Sequence, residues 1–380
     1  MRNLHLICTL ALFAGCGVRM NTVIKERDER VKDYLDRTIG KSIFPGIQYV
    51  VTDSSGRIFE YDGGLADISN GIPMRSGTTM MAYSMTKTFT AVAVLRLVDA
   101  GVIGLDDSVF KYVDYTPYGR SMTVRHLLAQ MSGIPNPIPL RWAHPAAQHA
   151  SFSEESALKK VLQENPDPDF SPGTKYAYSN ISYWFLGKII EKTTGVPYEE
   201  YMRQNVFAPL GLAPRDAAFT IVSDAPHAKG YLDKYSWMNI LKGFLVDKEL
   251  VGEYEGAWLN IRDHHLNGPA FGGLIGTARG VGVFLQDQLR THSVLLSPGT
   301  EQLFYTQQKT TSGEPVAMTL GWHIGDLNGV PYYYKEGGGG GYHCEMRIYP
   351  GKKIGTVIMV NETSSRCTET QSALDREFLF

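Results

Sequence analysis

The stretch AYSMTKTFTAVAVLRLVDAG, from Ala82 to Gly101, predicts a buried helix with a serine and a lysine three residues apart at its start. Residues i and i+3 lie on one face of a helix, so Ser84 and Lys87 are expected to face each other. The apolar run that follows favours burial, and a buried lysine loses the solvation of its ammonium group, which lowers its pKa. The pair is therefore a candidate nucleophile and base, although a helix that only packs can begin in the same way.

A serine and a lysine with this spacing also occur together by chance, and the pattern recurs at Ser156 to Lys159. That second match lies among Glu154, Glu155 and Lys160, which indicates a solvated helix face. The pair at the start of the apolar helix therefore needs support from other parts of the chain.

A second motif, Tyr178-Ser179-Asn180, stands on a predicted loop just before a helix. A tyrosine hydroxyl beside a lysine ammonium can have its pKa lowered and carry a proton, and Asn180 can hydrogen-bond a lysine or a substrate amide. The same residues also suit a turn in which Ser179 or Asn180 only caps the following helix.

A third motif, Lys335-Glu336-Gly337, lies on a predicted strand and opens a run of glycines from Gly337 to Gly341. A strand edge without side chains lets a substrate approach closely, and its free N–H groups can bind an oxyanion. A flexible glycine loop is the alternative. A further lysine-x-glycine match, Lys353-Ile354-Gly355, follows a Pro-Gly turn and indicates the start of a final strand.

The order of the predicted elements indicates the fold class. Strand signals lie near both ends of the chain, and helical periodicity dominates between them. We expect an α/β fold of the α+β kind, in which an antiparallel sheet from both chain ends is flanked by helices beside a mainly helical lobe. The predicted single domain covers residues 22–380, with a sheet lobe over about 22–120 and 270–380. The helical lobe covers about 121–269 and includes an irregular insert over 221–268.

The first 16 residues are typical of a secretory signal peptide, with Arg2 before an apolar run and small residues before Cys16. The letters FAGC resemble a bacterial lipobox, which predicts that Cys16 is lipidated and becomes the mature N-terminus. A plain cleaved signal peptide is the alternative. We therefore expect an exported protein, either periplasmic or a lipoprotein of the outer membrane or cell surface, with a lipid as its membrane tether.

Composition excludes several classes of function. The chain of 380 residues has 20% charged residues and a net charge of −2, without the basic patch expected of a nucleic-acid-binding protein. No HExxH pattern and no cysteine spacing typical of a metal site occur, so we expect neither a metal nor another cofactor. Export would permit a disulfide between Cys344 and Cys367, but two cysteines do not establish one.

The three motifs, in this order on helix, loop and strand, resemble those of the serine β-lactamase-like hydrolases. This family is related to class C β-lactamases, D-amino-acid-releasing peptidases and family VIII carboxylesterases. The resemblance covers roughly residues 23–361 and extends to flanking stretches such as TVRHLLAQMSGIP and GGLIGTARGV. It implies a β-lactamase/transpeptidase-like fold and an exported serine hydrolase that acts through an acyl-enzyme on a small-molecule or peptide ester or amide, of the esterase or D-peptide hydrolase type.

The resemblance also implies a role for each motif residue. Ser84 is the acylated nucleophile, and Lys87 and Tyr178 share the general-base and general-acid work, without an indication of which one takes the serine proton. Asn180 holds the catalytic lysine and touches substrate. On the glycine-rich strand, Lys335 lowers the pKa of the tyrosine and attracts an anionic group, and Gly337 completes the motif. The oxyanion hole is formed by the N–H group of Ser84 together with that of Gly338 on this strand.

Two departures from the family pattern bear on specificity. Many relatives have threonine or another small residue where Glu336 stands, and a carboxylate there either neutralises Lys335 or points away from it. The five consecutive glycines predict a bare strand edge, so specificity contacts are expected from the insert around Trp237 to Trp258. These departures also leave open a binding lipoprotein that keeps the fold without the chemistry.

Overall fold

The computed structural model describes residues 4–137, 142–240, 242, 247–363 and 366–380. The side chains of residues 4–21 and of Trp237 lie outside the described part, and with them the predicted lipidation site at Cys16. The backbone from Leu4 to Gly40 is one helix. Among the described residues, no helix combines the length and the apolar character needed to cross a membrane.

The centre of the described structure is a seven-stranded antiparallel sheet. Its strands, in chain order, are β1 (Gly46–Thr52), β2 (Arg57–Asp67), β3 (Ile72–Pro73), β4 (His323–Leu327), β5 (Val330–Gly339), β6 (Tyr342–Tyr349) and β7 (Ile354–Val360). Their order across the sheet is β4-β5-β6-β7-β1-β2-β3.

The two halves of this sheet meet where β1 pairs with β7, with Ile47 opposite Val360 and Val50 opposite Val357. Both strands consist mostly of β-branched and other apolar residues and are buried along nearly their whole length, as expected for central strands. This confirms the predicted α+β fold, in which the sheet is built from both ends of the chain. The boundaries of the two lobes stay a prediction.

Helices cover both faces of the sheet, and most of the regular secondary structure described in the middle of the chain is helical. The α-helices of the described residues are α1 (Leu4–Gly40), α2 (Thr86–Asp99), α3 (Val124–Leu128), α4 (Glu154–Glu164), α5 (Asn180–Thr194), α6 (Tyr198–Met202), α7 (Trp237–Ile240), α8 (Pro269–Gly272), α9 (Ala278–Gln288), α10 (Pro298–Tyr305) and α11 (Arg366–Leu379). α9 packs on β1 and β7, while α1 and α11 pack together on the opposite face, where Leu35 and Leu374 join one apolar cluster.

A buried cluster of charged side chains joins α11 to strand β6 of the sheet. The Arg347 guanidinium lies 2.6 Å from Glu345 Oε1 and 3.2 Å from Asp375 Oδ2, and all three side chains are fully buried. The hydroxyls of Tyr49 and Tyr349 donate hydrogen bonds to the same Asp375 carboxylate. Since each of these partners compensates a buried charge, removal of one would leave another unpaired.

The segment over residues 221–268 is more regular than the sequence indicated. In its described part, three antiparallel strands form a small sheet: Gly230–Asp233, Val251–Glu255 and Trp258–Ile261. The expectation of an irregular insert is therefore wrong for these residues, because short strands without strong alternation leave little signal in the sequence. Residues 241 and 243–246 of the predicted specificity segment lie outside the described residues.

Candidate active site

Ser84 lies in a tight 3-10 turn, Tyr83–Met85, and α2 begins two residues later at Thr86. The sequence placed this serine within the first turn of the helix itself. The difference arises at Tyr83, whose φ of 40° is left-handed, a conformation that is unusual for a bulky residue and that α-helix does not allow. Backbone strain of this kind clusters at functional sites, where surrounding contacts hold it in place.

Lys87 is fully buried, and its ammonium nitrogen contacts three oxygens. Nζ lies 3.1 Å from Ser84 Oγ, 2.6 Å from Asn180 Oδ1 and 2.6 Å from the carbonyl oxygen of Phe271. The predicted pair therefore meets at hydrogen-bonding distance, and Asn180 holds the lysine as expected. The carbonyl oxygen of Phe271, on α8, is a third hydrogen-bond partner of Lys87 that no motif indicated.

Tyr178 lies on the loop before α5, and its hydroxyl donates a 2.7 Å hydrogen bond to Ser84 Oγ. The loop is held by Gln130, a buried residue with φ of 57°, whose side-chain oxygen accepts from the N–H of Ser179 at 2.6 Å. Asn136 Oδ1 accepts from the backbone N–H of Asn180 at 3.0 Å. Ser179 also caps the helix, so the capping alternative and the site geometry coexist.

Lys335 on β5 completes this group of side chains. Its side chain is fully buried, with Nζ 5.0 Å from the centre of the Tyr178 ring, while Lys87 Nζ lies 4.8 Å from the same ring. Within the described residues, Nζ of Lys335 has no hydrogen-bond partner. A buried polar atom of this kind is costly unless something else satisfies it, which makes Lys335 a candidate for contact with a bound polar group.

Burial dominates the protonation of all three groups. It lowers the pKa of Lys87 well below its usual value, with a further lowering from the charge of Lys335, and it lowers the pKa of Lys335 to about 7. It raises the pKa of Tyr178 above that of a free tyrosine. This direction is opposite to the expectation that two ammonium groups lower the pKa of Tyr178, and its largest cause is desolvation, which disfavours the charged phenolate.

Glu336 points away from the site. Side chains alternate along a strand, and the neighbours Lys335 and Gly337 face the nucleophile turn. The Glu336 carboxylate lies on the opposite face, 48% exposed, with Oε1 2.7 Å from His343 Nε2 on β6. Of the two arrangements considered from the sequence, the structure has the one in which the carboxylate does not neutralise Lys335 directly.

The run of glycines is mostly covered, which corrects the expectation of a bare strand edge. A Cβ atom on Gly337 would collide with Ala82 O, and one on Gly339 would come within 2.5 Å of the Tyr83 ring. Gly341 has φ of 89° and lies against the backbone of Gly230. By contrast, a Cβ atom on Gly338, the predicted oxyanion donor, would meet nothing closer than 3.8 Å. Gly337, Gly339 and Gly341 thus allow close packing, whereas a Cβ atom on Gly338 or Gly340 would make only ordinary van der Waals contacts.

The remaining sequence candidates fall outside this site. Ser156 and Lys159, the second serine–lysine match, are exposed on α4, and Ile354 begins β7 as predicted. Cys344 and Cys367 are both buried and free of a disulfide. Among the residues with described side chains, no cluster of three or more potential ligands is placed to hold a metal ion.

The fold and this arrangement define a class of protein. An antiparallel sheet flanked by helices, with a serine–lysine turn, a tyrosine loop and a lysine-bearing strand around one serine, is the architecture of β-lactamases and penicillin-binding proteins. The sequence profile described as Beta-lactamase matches residues 27–379, and the chain belongs to the beta-lactamase family.

Curated relatives match over part of their length. The chain is 26% identical over 155 residues to penicillin-binding protein 4* of Bacillus subtilis (strain 168), which is 41% of this chain and 34% of that protein. It is 26% identical over 214 residues to protein flp of Staphylococcus aureus (strain COL), which is 54% of this chain and 41% of that protein. The matched part thus spans well under half the length of these relatives.

Solved structures show the same fold over most of the chain. An octameric penicillin-binding protein homologue from Pyrococcus abyssi superposes with a TM-score of 0.73 at 24% identity, over 92% of this chain and 76% of that one. A class C beta-lactamase in complex with cefoxitin gives 0.72 at 18% identity, over 94% and 99% of the two chains. At these identities the similarity establishes the fold.

Proposed function

We propose that the protein is a serine hydrolase that forms an acyl-enzyme at Ser84 on an ester or amide substrate, of the esterase or D-peptide hydrolase type. One observation carries the proposal: Ser84 Oγ lies within hydrogen-bonding distance of both Lys87 Nζ, at 3.1 Å, and the Tyr178 hydroxyl, at 2.7 Å. A nucleophile with a base and an acid in reach is the arrangement that acyl transfer requires.

The contacts of Lys87 suit its neutral form. A neutral amine has two N–H donors and one lone pair. Asn180 Oδ1 and Phe271 O, each 2.6 Å from Nζ, can accept these two hydrogens, which leaves the lone pair to accept the proton of the Ser84 hydroxyl 3.1 Å away. Because burial lowers the pKa of Lys87, this neutral form is favoured, so Lys87 is the group that takes the proton of Ser84 during attack on the carbonyl.

Tyr178 has the complementary role. Burial raises its pKa, so the phenol keeps its proton at neutral pH and points that proton at Ser84 Oγ. When the substrate bond breaks, the leaving oxygen or nitrogen departs near the same atom and can take the proton from Tyr178, which regains one from the protonated Lys87. Before that bond breaks, the N–H groups of Ser84 and Gly338 stabilise the negative oxygen of the tetrahedral intermediate, as the family resemblance implies.

A fluorophosphonate probe tests the proposal. We expect covalent labelling of the folded protein, with the added mass located on Ser84 by peptide mapping. Ser84→Ala abolishes labelling, whereas Ser156→Ala, a matched control in the second serine–lysine match, leaves it unchanged. A folded wild-type protein that takes no label contradicts the proposal.

A panel of substrates resolves the finer question of reaction type. Short-chain p-nitrophenyl esters, D-alanyl peptides and a chromogenic cephalosporin are each assayed with wild type and Ser84→Ala. A Ser84-dependent rate on any of them supports the hydrolase and excludes a protein that only binds. Ranking by kcat/KM then separates an esterase from a D-peptide hydrolase. If no substrate gives such a rate and the probe does not label, the chain is a binding protein with this fold.

We also propose that the protein is exported and tethered to a membrane through a lipid on Cys16. The support is the sequence of residues 1–16 alone, with its apolar run and the letters FAGC. In cells fed a labelled fatty acid, we expect the label on the wild-type protein and none on Cys16→Ser. Equal labelling of both, or none of either, contradicts the lipid tether.

A further inference from the structure

Tyr83, the residue before the nucleophile, reaches across the site to the glycine-rich strand. Its side chain is buried. The Tyr83 hydroxyl donates a hydrogen bond to the carbonyl oxygen of Gly340 at 2.8 Å. The hydroxyl oxygen of Tyr83 also lies 2.9 Å from His264 Nε2. The other ring nitrogen of His264 lies 2.8 Å from Arg262 O. The Tyr83 hydroxyl thus contacts two groups, the Gly340 carbonyl and the His264 ring.

The ring of Tyr83 packs closely against the strand because Gly339 has no side chain. A Cβ atom on that glycine would come within 2.5 Å of two ring carbons of Tyr83. Real Cβ atoms do not approach this closely, so the ring and the strand fit together only when residue 339 is glycine. The left-handed φ of 40° at Tyr83 is the conformation that sends the ring in this direction, and the hydrogen bond and packing hold it there.

We propose that Tyr83 is a positioning residue that fixes the nucleophile turn against the glycine-rich strand, and so sets the distance between the two oxyanion donors. The inference rests on the proposed function, because those donors are the N–H groups of Ser84, next to Tyr83, and of Gly338, next to Gly339. Tyr83 is covalently attached to the first donor and packed against the neighbour of the second. An oxyanion hole works only when both donors point at one oxygen, so a loosened strand lowers turnover.

The expected signature lies in kcat. Tyr83→Phe keeps the ring and loses the hydrogen bond to Gly340, and we expect kcat to fall about 10-fold with KM within twofold of wild type. Gly339→Ala pushes the ring away from the strand, and because a displacement of about 1 Å at an active site can cost on the order of 100-fold, we expect a loss of that size. Gly351→Ala is the matched control, since a Cβ atom there meets nothing within 4 Å.

A double variant tests the contact directly. Tyr83→Gly removes the ring and tolerates the left-handed φ of the turn. In that background Gly339→Ala has no ring to displace, so we expect it to change neither kcat nor the melting temperature further. In the background with Tyr83, the same substitution lowers both. Equal effects of Gly339→Ala in the two backgrounds overturn the proposal, as does a wild-type kcat in Tyr83→Phe.

The two proposals fail in different ways. If the wild-type protein takes no fluorophosphonate label, the proposed hydrolase activity is wrong. The melting temperatures of wild type, Tyr83→Gly, Gly339→Ala and the double variant still decide whether Tyr83 and Gly339 are coupled. If labelling is normal and the coupling is absent, the hydrolase stands and the positioning role of Tyr83 is wrong. If the Tyr83→Gly variants do not fold, single Gly339→Ala decides: a kcat equal to that of Gly351→Ala overturns the positioning role.

Discussion

Replacement of Lys335 by methionine should make the protein more stable. Lys335 is fully buried, its Nζ has no partner among the described residues, and burial lowers its pKa from 10.5 to about 7. A shift of 3.5 units costs the folded state about 4 kcal/mol at pH 7, where the buried amine is half protonated, at about 1.4 kcal/mol per unit. Methionine keeps most of the apolar stem without the charge. Its shorter side chain leaves a small cavity, which reduces the gain in stability by about 1 kcal/mol. The net expectation for Lys335→Met is a gain of about 3 kcal/mol.

The pH dependence identifies the cause of that gain. Between pH 7 and 10.5 the unfolded chain binds a proton at Lys335 and the folded protein does not, so the stability of wild type rises with pH. Methionine does not titrate, and the difference between the two proteins should shrink from about 3 kcal/mol at pH 7 to about 1 kcal/mol at pH 9.

Urea unfolding at both pH values measures this difference. Lys160→Met, at a lysine whose side chain is 75% exposed, is the control and should stay within about 0.5 kcal/mol of wild type at either pH. If Lys335→Met is less stable than wild type, or if the difference does not change with pH, then the side chain is not held as a buried, unpaired amine. A gain in the free energy of unfolding would show that the buried amine of Lys335 costs stability, as expected of a group that serves a functional site.

The other predictions concern the remaining buried ionisable groups. Lys87→Met keeps the stem but not the base, so kcat should fall on the order of 100-fold or more, and the rise of kcat with pH that follows deprotonation of Lys87 should disappear; a fully active variant would end the proposed mechanism. Tyr178→Phe should lower kcat while KM stays nearly constant in steady-state assays, because the lost hydroxyl contacts Ser84 Oγ, and a change confined to KM would assign Tyr178 to binding. Asp375→Asn should lower the free energy of unfolding in urea by about 3 kcal/mol, since it leaves buried Arg347 with less compensation, and unchanged stability would contradict that account.

Much of the site could be predicted because its motifs are local. Ser84 and Lys87 are neighbours through helix geometry, and the identity of Tyr178 and Asn180 followed from a short phrase before a helix. The structure brings all four together as expected. Even the exposed serine–lysine match on α4 could be set aside from the charges beside it.

The parts that the sequence did not indicate depend on contacts between distant residues. Tyr83 has no pattern that marks a left-handed φ, and its partner Gly340 stands 257 positions later. The glycine run looked like a bare edge because the residues that cover it come from other parts of the chain. The pKa of Tyr178 was expected to fall because neighbouring charges can be guessed from motifs, whereas the depth of burial cannot.

The pairing of β1 with β7 also bears on how the protein is made. Residues 46–52 cannot complete the centre of the sheet until residues 354–360 have left the ribosome, some 300 positions later. Contacts between such distant segments are slow to form, because a long loop must close before the pairing repays its entropy. Synthesis at 5–20 residues per second leaves β1, rich in Val, Ile and Tyr, without its partner for roughly 15–60 s. During that interval β1 lacks the strand that pairs with it in the folded protein, so the centre of the sheet forms only after the last part of the chain has been made.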